Sequence, residues 1–398
     1  MDLDGSCDAM RILSVVTDHP SFLRLAPVDR ALAKRGDMEH VIVHSGHRHD
    51  PELSDGLFEH EWIPAPDYHL GVGSGSHAQQ TAAAMQRLEP ISVELRPELV
   101  LVYGDDNCAL AAALVAAKLG ERVAHIDAGL RSGDWTMPDE VNRVVIDRVS
   151  DLLLVPSRDA AANLAAEGFP DGRLHFVGNP MIDSLCWALP QALELDVPAQ
   201  RRMAGEPYAV VRLEHASNVD DPVALRELLD ALERLASKMA VLFATDPRTR
   251  ARIDALRVRP PSDGGLRLLD PLGYLEMLGL VAQAHLVITD SGSLQEATTF
   301  LGVPCMTVRS STERAITCTN GTNRLVAPRR EVILAAAERA VARRSPARPL
   351  IERWDGRAAE RIVAVLCDEA WCEVEPGVTP IAGRRRPARA MPQPVDVA

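Results

Sequence analysis

The sequence predicts an α/β protein made of two domains, each a parallel sheet wrapped by helices, with a ligand cleft between them. Three observations carry that reading. The chain has 398 residues, enough for two or three domains at roughly 100–200 residues each. Short β-branched runs alternate with longer Ala/Leu/Arg-rich helical patterns along its whole length, as parallel sheets with crossover helices require. A polar, Pro-bearing stretch interrupts the alternation once, near the middle.

In the first half the expected strands are residues 11–16, 40–43, 99–103, 122–126, 152–155 and 174–177, with helical patterns between them. The segment 180–207 then carries a short helical stretch, 182–193, and the Pro-bearing run 197–207. The second set of strands is expected at 208–213, 239–244, 266–269, 286–289 and 304–308. This divides the chain into a first domain, 1–183, and a second, 184–353.

Composition excludes several classes. Hydrophobic residues at 46% and charged residues at 25% match ordinary globular proteins, so a fibrous or wholly disordered chain is ruled out. A net charge of −13 opposes a nucleic-acid partner. The dense basic cluster Arg384, Arg385, Arg386 and Arg389 sits in the Pro-rich stretch 373–398, expected to be a disordered tail. No apolar run approaches the roughly 18 residues that span a bilayer, and the first ten residues are acidic where a signal peptide is basic, so no membrane contact and a cytoplasmic location are expected. The seven cysteines are odd in number and contain no C-x-x-C pair, which suggests reduced thiols.

Open parallel sheets bind ligands beyond the carboxyl ends of their strands. The polar clusters fall there: Thr17-Asp18-His19-Pro20-Ser21, Gly104-Asp105-Asp106-Asn107, Asp127-Ala128-Gly129-Leu130-Arg131 and Asp290-Ser291-Gly292-Ser293. The last opens a helix expected at 294–301, where small residues let backbone N–H groups reach an anion and the helix dipole favours negative charge. Phosphate binding and an ordinary N-cap are both open readings of it. Glu296, one turn on, is placed to accept hydrogen bonds from a ribose. Asp105, Asp127, Asp139 and Glu140 are candidates for acid/base chemistry in a cleft that raises carboxyl pKa values, with helix capping as the alternative at each. The run Gly71–Ser76 lacks a clear preceding strand, so a dinucleotide fingerprint is not expected. His44, His47 and His49 lack a further ligand set, and no metal is expected.

Taken together, these loops are similar to one family. His125-Ile126-Asp127-Ala128-Gly129-Leu130-Arg131-Ser132-Gly133 with Pro138-Asp139-Glu140-Val141-Asn142-Arg143 resembles the HVEAGLRTGD…PEEANR block of the non-hydrolysing UDP-N-acetylglucosamine 2-epimerases. Tyr103-Gly104-Asp105 resembles their HGDT segment. Thr289–Glu296, Arg309–Arg314 and Gly321–Val326 resemble TDSGGIQEE, RDTTERPE and GTNRLV, and further matches continue in order to about Leu366.

The resemblance implies the GT-B fold, two Rossmann-like domains with a UDP-sugar in the cleft and a C-terminal helix, within 354–372, crossing back onto the first domain. It implies inversion of C2 of a UDP-2-acetamido sugar by elimination of UDP and re-addition through a glycal, in glycoconjugate or polysaccharide biosynthesis. It implies no metal or redox cofactor, and a homodimer. Position by position, Asp105, Asp127 and Asp139 fall on the acidic catalytic residues and Arg143 on the arginine after them. Ser291, Gly292, Ser293 and Glu296 fall on the UDP-holding segment, Arg314 nearby is a cationic candidate, and Met277 stands where an aromatic residue flanks the uracil.

Several positions depart from the pattern. The GTRPE loop becomes Thr17-Asp18-His19-Pro20-Ser21, so His19 replaces an arginine that meets the diphosphate. Asp127 and Asp139 replace glutamates, roughly 1.5 Å shorter in reach, a misplacement that can cost about 100-fold in rate if the backbone does not compensate. Glu214 stands where a functional histidine is expected, with His215 where the next arginine belongs. The alternatives are a variant on the same scaffold that hydrolyses the glycal or transfers sugar, and a catalytically silent UDP-sugar binder.

Overall fold

The computed structural model describes residues 9–46, 62–256, 265–342 and 349–368. The expected tail, the basic cluster, and His47 and His49 lie outside the described residues. The first sheet is built around β1 (Met10–Val16), flanked by β2 (Met38–His44), with β3 (Tyr68–His69) at that edge. On its other side lie β4 (Leu99–Tyr103), β5 (Arg122–Ile126), β6 (Leu152–Val155) and β7 (Leu174–Phe176). Every pairing is parallel. β4, Leu-Val-Leu-Val-Tyr, is buried throughout, as a strand covered by helices on both faces should be.

Among the described residues, the helices α1 (His19–Leu32), α2 (His77–Leu95), α3 (Asn107–Leu119), α4 (Pro138–Val149), α5 (Arg158–Ala166) and α6 (Pro180–Glu194) accompany this sheet. α6 starts two residues before the expected stretch because Asn179 caps it, accepting from Met181 N at 2.9 Å, and Pro180 is preset for a first helical turn. The 183/184 division therefore falls inside a helix. A helical turn, α7 (Val197–Gln200), occupies part of the Pro-bearing run.

The second sheet has the order β10-β9-β8-β11-β12-β13, again all parallel: β8 (Tyr208–Arg212), β9 (Ala240–Ala244), β10 (Leu266–Leu269), β11 (Leu286–Thr289), β12 (Cys305–Thr307) and β13 (Asn323–Leu325). β3 and β13 were not among the expected strands; at two and three residues they are too short to show a periodicity. The helices here are α8 (Ala216–Val219), α9 (Pro222–Ala236), α10 (Pro247–Ala255), α11 (Tyr274–Gln283), α12 (Gly292–Leu301), α13 (Ala315–Thr319) and α14 (Arg330–Ala342), before the final α15 (Ala358–Leu366).

One apolar cluster joins the two halves. It contains Phe22 and Leu25 of α1, Ile182 and Leu185 of α6, Leu275 and Leu278 of α11, Phe300 of α12, and Ile362 and Val363 of α15. At about 1.5–3 kcal/mol per fully buried side chain of this kind, the cluster fixes how the sheets face each other. Asp183 of α6 ties α15 down by accepting from Ala358 N and Ala359 N at 3.0 and 2.8 Å, while burial pushes its carboxyl up to about 6.

In each sheet the strand order reverses once, between β1 and β4 and between β8 and β11. Crossovers leave in opposite directions at these points and open a crevice beyond the carboxyl ends of the strands.

Candidate active site

Both crevices open onto one cavity of about 280 Å³. Its first wall comes from the turns after β1, β4 and β5 and from the start of α4. Asp18 caps α1, accepting from Ser21 N at 2.9 Å, and Asp106 caps α3, accepting from Cys108 N and Ala109 N at 2.6 and 3.0 Å. Burial, with Asp18 adding like charge, pushes the Asp106 carboxyl up to about 7. Asp139, in the first turn of α4, is pushed up to about 6 by burial and then by neighbouring Asp105. Asp105 itself is paired with Arg143, whose Nη2 also holds Glu140 at 2.8 Å. Glu140 pins the loop ahead of α4 by accepting from Ser132 N and Gly133 N at 3.0 and 2.8 Å.

Asp127 lines the same wall in a left-handed backbone conformation, φ 72°. Its partner is Arg24, one turn into α1 and 3% exposed, whose Nε lies 2.5 Å from the Asp127 carboxylate and whose Nη2 lies 3.5 Å from Glu296. A buried guanidinium thus clamps the first wall to α12 of the second.

The second wall is organised by Asp290, after β11. It accepts from Glu214 N and His215 N at 3.0 Å each and from Asn218 Nδ2 at 2.8 Å, so the β8 and β11 turns are held together by one carboxylate. Ser291 then starts α12 without a side-chain cap, leaving the N–H groups of its first turn facing the cavity. Arg314 lies across Gly292: a Cβ at that glycine would stand 2.5 Å from Nη1. Its Nε donates to Glu296 at 2.8 Å and its Nη1 to Glu313, which also holds Arg309 at 3.1 Å. Burial alone would raise Glu313; Arg314, Arg309 and Arg143 hold it down at about 2.

One wall therefore offers carboxyls that exchange protons near neutrality, and the other offers backbone N–H groups and fixed guanidiniums for an anion. A family model described as UDP-N-acetylglucosamine 2-epimerase matches residues 30–367. The chain belongs to that family.

Among relatives of this epimerase family, a Pseudomonas aeruginosa UDP-2,3-diacetamido-2,3-dideoxy-D-glucuronate 2-epimerase is 37% identical over 332 residues, covering 82% of this chain and 91% of its own. A Methanocaldococcus jannaschii UDP-N-acetylglucosamine 2-epimerase is 34% identical over 369 residues, covering 90% and 99%. A crystal structure of the enzyme from that organism, in complex with UDP-GlcNAc and UDP, matches with a TM-score of 0.82 at 35% identity, again covering 90% and 99%. The two-sheet GT-B arrangement implied by the sequence is thereby established.

Most of the residues singled out from the sequence line this cavity: Asp105, Asp127, Asp139, Arg143, Glu214, His215, Ser291, Gly292, Ser293 and Arg314. Three do not. His19 opens α1 with its ring 5.4 Å from that of Tyr274, while Ser21 and Arg24 take the cavity side of the helix. Met277 packs into an apolar cluster of the second sheet. Glu296 is 2% exposed and sits behind the wall, held by Arg314 and Arg24. His44 is occupied by His69 Nδ1 at 3.3 Å and the Thr17 carbonyl at 3.1 Å. The sequence reading missed Arg24, Asp106, Arg309 and Glu313 as site residues. For Arg24 a signal was present, a lone charge in the apolar stretch Phe22-Leu23-Arg24-Leu25-Ala26.

Proposed function

We propose that this chain inverts C2 of a UDP-2-acetamido sugar by eliminating and re-adding UDP. What supports the reading above all is the division of the cavity into a proton-exchanging wall and an anion-holding wall, within a chain of the 2-epimerase family. The diphosphate lies at the start of α12, against Ser291, Gly292, Ser293 and Arg314, with the sugar reaching toward Asp105 and Asp139. A carboxylate takes the C2 proton, the C2–H electron pair becomes the C1=C2 double bond, and the C1–O pair leaves with UDP. Because this proton is weakly acidic, charge building on the departing diphosphate must be stabilised, which the α12 N–H groups and Arg314 do. UDP then adds back to the glycal while C2 receives a proton on its other face. Asp105 serves as the base and Asp139, held near 6, as the acid for one direction, with the roles reversed on return. Within the same reading the protein is a cytoplasmic homodimer using neither metal nor redox cofactor.

Incubation with UDP-N-acetylglucosamine in D2O tests this. The expected result is deuterium at C2 of both epimers at equilibrium. Free UDP accumulating without an epimer identifies the hydrolysing variant, sugar passed to an acceptor identifies a transferase, and UDP binding without exchange identifies a silent binder; each contradicts the proposal.

A further inference from the structure

Beneath the first wall lies a buried ionic pair that the reaction as written does not use. His125, near the end of β5, is 1% exposed; its Nδ1 is 2.6 Å from Asp147 Oδ1 and its Nε2 is 2.8 Å from the Gly104 carbonyl. Asp147 of α4 is fully buried and its other oxygen is also taken, by Arg131 Nη1 at 2.7 Å and Gly129 N at 3.1 Å. A carboxylate already accepting from an arginine and a backbone N–H is ionised, and a carbonyl oxygen has no proton to give. Both ring nitrogens of His125 must therefore donate, so the ring is an imidazolium.

We propose that the His125–Asp147 pair is a positioning device for the proton-transfer residues, holding the turns that carry Asp105 and Asp127 in register with α4. The inference rests on the function proposed above. The geometry is direct: His125 grips the carbonyl of Gly104, the residue before Asp105, at a turn where φ is 74°. Asp147 grips Gly129 N, two residues after Asp127. Asp147 also shares one face of α4 with Asp139 and Arg143, spaced at i, i+4 and i+8. One carboxylate thus ties together three segments that must agree to within about an ångström, and an error of that size can cost about 100-fold in rate.

The groups facing the pair are Arg131, then Asp127 with its own partner Arg24, and Arg173 beyond Asp147. Burial opposes charge on His125, but Asp147, the Gly104 carbonyl and Asp127 outweigh it and raise its pKa. Burial likewise opposes charge on Asp147, and His125 and Arg131 outweigh it and lower its pKa. With both ring nitrogens donating and both Asp147 oxygens accepting, the pair is ionic, and its charge is lost as pH rises through the folded-state value of His125.

Two measurements test the proposal. In protein labelled with ¹⁵N-histidine, the His125 signals, assigned by their loss in His125→Gln, should show both ring nitrogens protonated at pH 7. A neutral single tautomer would overturn it. Second, Asp147→Asn should lower kcat about 10–100-fold while KM and UDP affinity stay within about 3-fold, and should move the alkaline fall of the pH–rate profile to lower pH. A folded variant with kcat within about 3-fold of wild type overturns the positioning role, as does a loss of kcat matched by an equal loss of UDP affinity. If the wild-type protein epimerises no UDP-sugar, the proposed function fails and takes the role with it. If the wild type is active and Asp147→Asn equals it, only the positioning role fails.

Discussion

Asp106 and Asp139 on the first-sheet wall are held up at about 7 and about 6, whereas Glu313 on the second-sheet wall is held down at about 2. Glu313 is buried and Asp106 and Asp139 are half-buried, and what separates them is the company they keep. Asp106 faces Asp18 and Asp139 faces Asp105, while Glu313 faces Arg314, Arg309 and Arg143. The two walls of one cleft, each at the carboxyl edge of a parallel sheet, have thus been given opposite chemistry. A group titrating near ambient pH gives and takes protons, and a permanently ionised one anchors guanidiniums around a polyanion.

The most severe way to break the contrast is to remove the proposed proton acceptor. Asp105→Asn is expected to lower kcat about 10³-fold, measured as epimer formed per second. Next comes the clamp between the walls. Arg24→Ala leaves Asp127 buried without its cation and Glu296 with Arg314 alone, and is expected to cost about 3–5 kcal/mol in chemical denaturation. A loss under about 1 kcal/mol would mean that the clamp carries little. On the anion side, Gly292→Val drives a side chain into Arg314 and is expected to weaken UDP binding about 10–100-fold by calorimetry.

The gentlest test uses pH. Asp106 has a folded-state pKa of about 7, above the ordinary aspartate value of 3.8, so the folded protein binds this proton more tightly than the unfolded chain. Its contribution makes stability fall as pH rises from about 4 to about 7. Asp106→Asn keeps the α3 cap and removes that dependence. Its thermal midpoint should exceed that of wild type at pH 8 and converge with it at pH 4. Equal midpoints at both would show that Asp106 is not perturbed. Glu313, with its lowered value, acts in the opposite sense, adding stability as pH rises from about 2 to about 4.5.

Much of this was legible from local sequence. Asp18, Asp105, Asp127 and Asp290 follow strands, and that placement alone puts them at the carboxyl edge of a sheet. What stayed hidden depends on partners distant in the chain. Glu296 reads as a ribose acceptor because nothing local shows that Arg24 and Arg314 already hold it. Asp290 reads as a helix cap or phosphate-loop residue, yet its carboxylate fastens the β8 turn some 75 residues away. His19 reads as the replacement for a lost arginine, but only the packing of α1 against α11 shows that its ring faces Tyr274. Long-range ion pairs and helix rotation are tertiary properties that no local pattern encodes.

The division of labour between the walls is tested most directly by titrating Asp105→Asn with UDP in a calorimeter. The predicted result is an affinity within about 3-fold of wild type in a protein that no longer exchanges the C2 proton, because the anion is held by α12 and Arg314 alone. An affinity reduced more than about tenfold would place the diphosphate on the first wall and contradict the assignment.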